Sequence, residues 1–297
     1  MEKKEQQRAT TVQEQICNLK DLGLHFDDTD KAKDVLSRVS YYRLIKAYGI
    51  EYKKNDGTFV ENTKFKDILK LYEFDAALRH ILSPNIEMIE IHLRAAIANC
   101  IGVKYGPLAY LDQSIIQSTE YYKDLMNNIH DMVEKNSNSP IVRNFRTNYK
   151  DGNLPIYALV EICSFGDISK LFKILKNADK KEIATSFGVG YTYLESWMET
   201  LVFVRNVCAH YGRLYNARIK KRPKLYKQYY QAGVANGMVF AVILCIKHLL
   251  DEKQRCRFLD DISEHICQMN DEGIDISRIG AKKEWKKLLY DRNEQTK

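Results

Sequence analysis

Apolar residues recur at the three- and four-residue spacing of an α-helix along nearly the whole chain. The windows with this spacing are, in chain order, about 10–22, 28–39, 64–83, 84–104, 117–135, 140–150, 191–211, 229–250, 252–269 and 280–290, and a further pair of helices is expected around 164–167. Because proline is favoured in the first turn of a helix and disrupts its interior, we expect one helix to end at Ser83 and the next to begin at Pro84. With 14 glycines and 5 prolines in 297 residues, turn residues are too sparse for a β-rich protein. The pattern therefore predicts an all-α fold.

Turn and capping residues add local detail to this picture. Asn-Asp-Gly at 55–57 predicts a turn that closes a short hairpin, with Tyr52 and Phe59 on its two arms. Asp167 is expected to cap the start of a helix, and Asp28 lies in a segment typical of another N-cap.

The chain carries no internal repeat and no Gly/Ser-rich linker. We expect an N-terminal helical subregion at 1–60, a helical core at 61–250 and a C-terminal helical extension at 251–297, packed as one compact unit. The 45% hydrophobic content is sufficient for a sizeable core.

Targeting and membrane signals are missing from the sequence. The N-terminus has no apolar stretch of the kind found in secretory signals. The most apolar run, Met238–Ile246, has nine residues and stops at Lys247, whereas a membrane span needs about twenty, so a buried core helix is expected. The seven cysteines form no C-x-x-C pair, which argues against zinc and against a disulfide framework. We expect a cytoplasmic protein with no membrane partner and no metal.

One charged residue occupies a position where a core side chain is expected. On a helical projection of residues 194–210, Met198, Leu201 and Cys208 define the buried face, and Arg205 lies in the middle of it. Because an unpaired buried charge is very costly, Arg205 must have a partner or line a cleft.

The window 84–104 has a matching anomaly. Glu90 lies inside its apolar face, four residues before Arg94. Glu90 or Glu87 is therefore a candidate partner of Arg205, or a group that orients a catalytic side chain. Periodicity alone favours the simpler interpretation, an internal salt bridge that fixes two helices.

Arginine and histidine without metal ligands suit the cleavage of RNA, whose 2′-hydroxyl is an internal nucleophile. His210 is a candidate general acid or base, Arg205 a candidate for stabilising the phosphorane charge, and Asn206, four residues before His210, is placed to orient the imidazole. Positions five apart on an ideal helix differ by about 140°. Either the helix distorts near His210 or a second subunit of a symmetric dimer completes the site.

A basic segment follows directly. Residues 213–230 contain seven basic residues, no acidic residue and four tyrosines. The net charge of the whole chain is also +7, so the positive charge is concentrated in this segment. Basic side chains bind phosphates and tyrosines stack on unpaired bases, which favours RNA contact over a merely solvated face. The RNA-binding candidates are Arg213, Tyr215, Arg218, Lys220, Lys221, Arg222 and Lys224, with Arg43 as a weaker one in a separate aromatic and basic cluster. The sequence lacks P-loop, dinucleotide-binding and serine-hydrolase motifs.

Several stretches carry a family resemblance. RNVCAH at 205–210 resembles the R-x4–6-H motif of HEPN ribonucleases. SYYRLIKAY at 40–48, FKDILKLYEFDAALRHIL at 65–82, IEMIEIHLRAAIA at 86–98, EICSFGDISKLF at 161–172 and LESWMETLVFVRNVCAHYGRLYN at 194–216 resemble, in this order, the Abi-like abortive-infection family, the AbiD/AbiF group of phage-defence proteins. The resemblance covers about residues 16–230.

This resemblance implies an all-helical HEPN-type bundle that forms a homodimer and cleaves RNA without a metal or other cofactor, with Arg205 and His210 as the active pair. It also implies a role in antiviral defence or growth arrest, and a small structured non-coding RNA as a partner or inhibitor. Tyrosine modification, known for HEPN proteins with tyrosine two residues after the histidine, is not implied, because Gly212 stands there and Tyr211 follows His210 directly.

The leading hypothesis is thus an endoribonuclease in which His210 is the general acid or base, Arg205 stabilises the phosphate and Asn206 orients the histidine. Glu90 and Arg94 are supporting residues. A non-catalytic module that binds a structured RNA is the alternative, and a purely structural dimer is the third interpretation.

Overall fold

The computed structural model describes residues 8–117, 119 and 121–291, and these residues contain isolated β-bridges but no β-strand. Their α-helices are α1 (Val12–Asp21), α2 (Thr29–Arg38), α3 (Phe65–Tyr105), α4 (Tyr122–Lys135), α5 (Pro140–Asn148), α6 (Ile156–Ile162), α7 (Phe165–Ile174), α8 (Asn177–Thr185), α9 (Tyr191–Ala209), α10 (Lys227–Gln231), α11 (Val239–Leu249), α12 (Glu252–Asp271) and α13 (Trp285–Tyr290). Short 3₁₀ and π-helical segments lie between some of them. The prediction of an all-α fold is confirmed.

The described residues divide into two compact units, one that ends at Ala77 and one that begins at Leu78. In the first unit, the carboxylate of Asp28 caps α2 by accepting two backbone N–H groups, as its position predicted. The predicted turn at 55–57 is also present, because Lys53 and Phe59 on its two sides form an antiparallel bridge.

The long helix α3 overturns the expectation that one helix ends at Ser83 and another begins at Pro84. The helix continues through Pro84, and the side-chain amide of Asn85 donates to the carbonyl of Ile81 at 2.7 Å. The apolar face is unbroken around the proline, with Leu82, Ile86, Ile89 and Leu93 all buried. Burying such a side chain contributes about 1.5–3 kcal/mol, so these four outweigh the ~3 kcal/mol cost of an interior proline.

Other helix limits also differ from the periodicity. The window 229–250 holds two helices, because Gly233 adopts a left-handed conformation with φ of 70° and ends α10. The last helix begins only at Trp285. The N-cap of α7 is Ser164, whose hydroxyl accepts the N–H of Asp167 at 3.2 Å, so Asp167 lies in the first turn instead of capping it.

Helix α9 occupies the core of the second unit and packs against α7, α8 and α11. The apolar run that continues into α11 is buried along 239–246, so the expected core helix is confirmed. Among the described residues, none of the helices combines the length and the apolar character that crossing a membrane would require.

An aromatic cluster joins α9, α10 and α11. His248 stacks on Trp197 with ring centroids 5.8 Å apart, and its Nε2 lies 2.8 Å from the hydroxyl of Tyr229. Tyr226 meets the His248 ring edge to face at 4.9 Å. Burial, with the nearby charges of Lys247 and Arg255, lowers the pKa of His248 to about 3. His248 is therefore a neutral member of this cluster at neutral pH.

We expect the stabilising contribution of His248 to disappear as the pH falls from about 6.5 toward about 3. In that window the unfolded chain takes up a proton at His248 while the folded chain does not, which lowers the free energy of unfolding. His248→Phe keeps an aromatic ring but lacks this titration. The stability advantage of the wild type over this variant in urea denaturation should therefore narrow between about pH 7 and about pH 4, and an unchanged difference would contradict the assignment.

Candidate functional site

His210 ends α9 as its C-cap residue, with φ of −96° and ψ of 14°, outside the helical values of about −63° and −42°. The amide of Tyr211 donates to the carbonyl of Cys208 at 3.0 Å, and the amide of Gly212 donates to that of Val207 at 2.7 Å. This pair of bonds is the Schellman arrangement, with Tyr211 in the left-handed position. His210 itself still donates the last α-helical hydrogen bond, from its amide to the carbonyl of Asn206 at 3.0 Å, so the departure from helical geometry begins at this residue.

Gly212 is required by its close approach to α9. A Cβ at this position would lie 2.9 Å from Cγ1 of Val207 and 3.2 Å from the Val207 carbonyl oxygen. The carbonyl of Gly212 in turn accepts a hydrogen bond of 3.1 Å from Nη1 of Arg79, a residue that is only 4% exposed. The turn that carries His210 is therefore held from α9 on one side and from α3 on the other.

The guanidinium of Arg205 has side-chain partners, as expected for a charge in the apolar stripe of α9. Its Nη2 lies 3.4 Å from Oε2 of Glu90, and its Nη1 donates to Oδ1 of Asn206 at 3.1 Å. Of the two candidate partners, Glu90 is the one that contacts it. The expected role of Asn206 changes, because its amide oxygen contacts Arg205 and not the imidazole of His210. The Arg205 side chain is 36% exposed, so it borders a surface that a ligand can reach.

Glu90 and Arg94 together join three helices. Glu90 pairs with Arg94 one turn along α3 and with Arg205 on α9. Arg94 also donates to the backbone carbonyl of Val160 on α6. The side chains of Glu90 and Arg94 are 11% and 12% exposed. The salt-bridge interpretation of Glu90 is thus confirmed, and the bridge sets the position of the Arg205 guanidinium.

The charges of this cluster leave it net positive. One carboxylate stands between two guanidinium groups, and Arg205 is the most exposed of the three side chains. Arginine presents a planar set of donors that matches phosphate oxygens, and a partly desolvated cation binds an anion more strongly than one in bulk water. The exposed edge of Arg205 is the part of this cluster suited to meeting a phosphate.

The basic segment 213–230 begins immediately after this turn and runs without regular structure until α10. Apolar residues anchor it, with Leu214, Ile219 and Leu225 buried. Backbone bonds also fix it, including the amide of Ile219 to the carbonyl of Gly237 at 2.8 Å. Its exposed basic residues are Arg218, Lys220, Lys221, Arg222, Lys224 and Lys227, and Arg213 is half-buried.

Tyr215 is a correction to the predicted RNA-binding set. It is 4% exposed, and its hydroxyl donates to the backbone carbonyl of Asp275 at 3.2 Å, so its ring is not available to stack on a base. Tyr229 is likewise buried, whereas Tyr230 is exposed. The tyrosines of this segment serve mainly to attach it to the core.

Arg43, the weaker candidate, is exposed on a π-helical segment, Tyr42–Lys46, of the first unit. Arg79 and Tyr211 were not among the predicted site residues, although both help to form the turn at His210. A helix-terminating glycine at 212 was a visible signal for that turn. The contact of Arg79 with it spans 133 residues of sequence, which no local pattern reveals.

One group in the described residues has a composition found at metal sites. Ligand atoms of Cys100, Asp179 and Glu182 lie within 4.8 Å of one another. The ammonium of Lys104 pairs with both carboxylates, and burial raises the pKa of the Cys100 thiol to about 12. A lysine cation thus already occupies the acidic side of this group, and a protonated thiol is a poor metal ligand.

We expect Glu90→Gln to destabilise the fold by about 1–3 kcal/mol, because it leaves two neighbouring guanidinium groups without their shared counter-charge. Glu87→Gln, at an exposed position one turn earlier on α3, is the matched control and should change stability by less than about 0.5 kcal/mol. Urea denaturation measures both. Equal effects of the two substitutions would show that the carboxylate of Glu90 does not hold the cluster together.

Comparison with known proteins agrees with the resemblance of the sequence motifs. The model of the family described as Abi-like protein matches residues 34–216, which include α3, α9 and the turn at His210. Neither the comparison with curated proteins nor the comparison with solved structures gives a match. The family match covers more than half of the chain, and the chain therefore belongs to the Abi-like protein family.

Proposed function

We propose that the protein is a metal-independent endoribonuclease of a phage-defence, abortive-infection or toxin-like system. The observation that carries the proposal is the arrangement at the end of α9, where Glu90 holds the partly exposed guanidinium of Arg205 and His210 is exposed at the C-cap of the same helix. Membership of the Abi-like family supports the role in defence.

In the proposed reaction, the 2′-hydroxyl of the RNA attacks the adjacent phosphorus and the 5′-oxygen leaves. His210 acts as the general base or acid for these proton transfers. Arg205 donates to the non-bridging oxygens and neutralises charge that develops in the phosphorane. Asn206 holds the guanidinium of Arg205 through its amide oxygen, so it supports the arginine directly.

The exposed part of the basic segment is the proposed RNA surface. Arg218, Lys220, Lys221, Arg222 and Lys224 are exposed, and Arg213 is half-buried between them and His210. Cations arranged along an extended chain bind a phosphate backbone with little dependence on base sequence. A structured non-coding RNA that covers the same surface fits the proposal as an inhibitor or partner.

We also propose that the protein works as a homodimer of the HEPN type. In the proposed site each chain contributes one proton-transfer group, the imidazole of His210. A symmetric dimer would bring two Arg205–His210 pairs to one RNA. The resemblance of RNVCAH at 205–210 to the HEPN motif supports this part of the proposal. The proposed reaction uses no cofactor.

The test is cleavage of RNA by the purified protein in EDTA. Arg205→Ala and His210→Ala should each lower the rate by about a hundredfold or more, the usual contribution of a phosphate-stabilising donor or a general acid–base group. Arg257→Ala and His130→Ala, at exposed positions on α12 and α4, are the matched controls and should keep the wild-type rate.

Full activity of both site variants would refute the assignment of the site. Dependence of cleavage on a divalent metal would refute the metal-independent reaction. If the wild type binds RNA tightly and never cuts it, the alternative of a non-catalytic RNA-binding module holds.

A further inference from the structure

Tyr211 has a backbone conformation that its residue type disfavours. Its φ is 56°, in the left-handed region where the Cβ of an ordinary residue meets the neighbouring carbonyl. The other non-glycine residues of the described chain with positive φ are Asn62 and Asn216, and asparagine tolerates this region. At the corresponding position of a helix end, glycine is the usual residue.

The surroundings force this conformation on Tyr211. The helix-ending hydrogen bonds from Tyr211 and Gly212, the close packing of Gly212 on Val207 and the bond from Arg79 to the Gly212 carbonyl all fix the turn. A strained residue that the rest of the structure holds in place is a recognised mark of a functional position. Helix termination alone does not account for a tyrosine here, because glycine would end the helix without strain.

The side chain of Tyr211 is presented to solvent. It is 66% exposed, although a tyrosine ring is one of the larger apolar surfaces a residue can bury. It is the residue after His210 and precedes the basic segment by two positions. A large exposed ring therefore stands between the proposed catalytic imidazole and the proposed phosphate-binding surface.

An aromatic ring at this place has a definite use in the proposed reaction. Attack by a 2′-oxygen requires that it line up with the leaving 5′-oxygen, an arrangement that a regular A-form stack does not provide. Removing one base from the stack frees the backbone to adopt it. Exposed aromatic side chains receive such bases, and stacking is tolerant of base identity.

We propose that Tyr211 stacks on a nucleobase next to the scissile phosphate, so that the substrate of this site is an unpaired segment of RNA. Tyr211 is a substrate-binding residue in this scheme, and His210 and Arg205 keep their roles. The inference rests on the proposed function for its position beside the reacting phosphate, whereas the stacking itself is measurable without cleavage.

The probes are single-stranded RNA oligonucleotides that carry the fluorescent base 2-aminopurine at each position in turn. Binding is measured with His210→Ala protein, so that no RNA is cut. One probe position should be quenched on binding. In the Tyr211→Gly background this quenching should disappear and the affinity fall roughly tenfold, whereas Tyr211→Phe should retain both.

Tyr211→Gly is suited to this test because glycine is the residue that the turn favours, and its melting temperature should equal or exceed that of the wild type. Tyr157→Ala, at another exposed tyrosine on α6, is the matched control and should leave quenching unchanged. In cleavage by otherwise wild-type protein, Tyr211→Gly should raise KM about tenfold, and annealing the RNA into a duplex should abolish cutting.

Quenching that persists in Tyr211→Gly would overturn the inference, and so would its loss in Tyr211→Phe, which would assign the effect to the hydroxyl. If Arg205 and His210 prove essential while Tyr211→Gly cuts normally, the stacking role fails and the proposed function stands. If the wild type never cuts but the Tyr211-dependent quenching is present, base stacking stands and the nuclease assignment fails.

Discussion

The carboxylate of Glu90 is the point on which the proposed site depends. A guanidinium in the apolar stripe of α9 is tolerated only if a counter-charge meets it, and Glu90 supplies that charge from α3. The same carboxylate also pairs with Arg94, which holds a carbonyl of α6, so this cluster of three charged groups connects three helices. A buried ion pair contributes little net stability, although removing one partner is strongly destabilising. Here the pairing sets the direction of Arg205.

The end of α9 is organised by a second, independent set of contacts. Gly212 packs too closely on α9 for any other residue, and Arg79 holds its carbonyl from α3. His210 and Tyr211 therefore project from a rigid turn instead of a mobile loop. The basic segment that follows is irregular in backbone yet anchored by buried Leu214, Ile219 and Leu225. The side chains of the proposed site are thus placed on a fixed framework, which is what the proposed reaction requires.

Sequence patterns predicted much of this arrangement and missed the parts that depend on distant contacts. Arg205 and Glu90 stood out because a charge inside an apolar stripe is visible within one helix, and their opposite signs pointed to a pair. Continuation of α3 through Pro84 depends instead on the burial of its apolar face by other elements. Tyr215 is buried because it meets residue 275, sixty positions away. The left-handed conformation of Tyr211 runs against its residue type, so no propensity could have predicted it.

The central claim, cleavage by the RNA's own 2′-hydroxyl, is tested most directly by removing that group. An RNA oligonucleotide with a mapped cleavage position is compared, in EDTA, with the same oligonucleotide carrying a single 2′-deoxynucleotide just before the scissile phosphate. The account predicts that the unmodified RNA is cut to a 2′,3′-cyclic phosphate and a 5′-hydroxyl, and that the modified RNA is not cut at that position. Cleavage of the modified RNA there at an unchanged rate would contradict it.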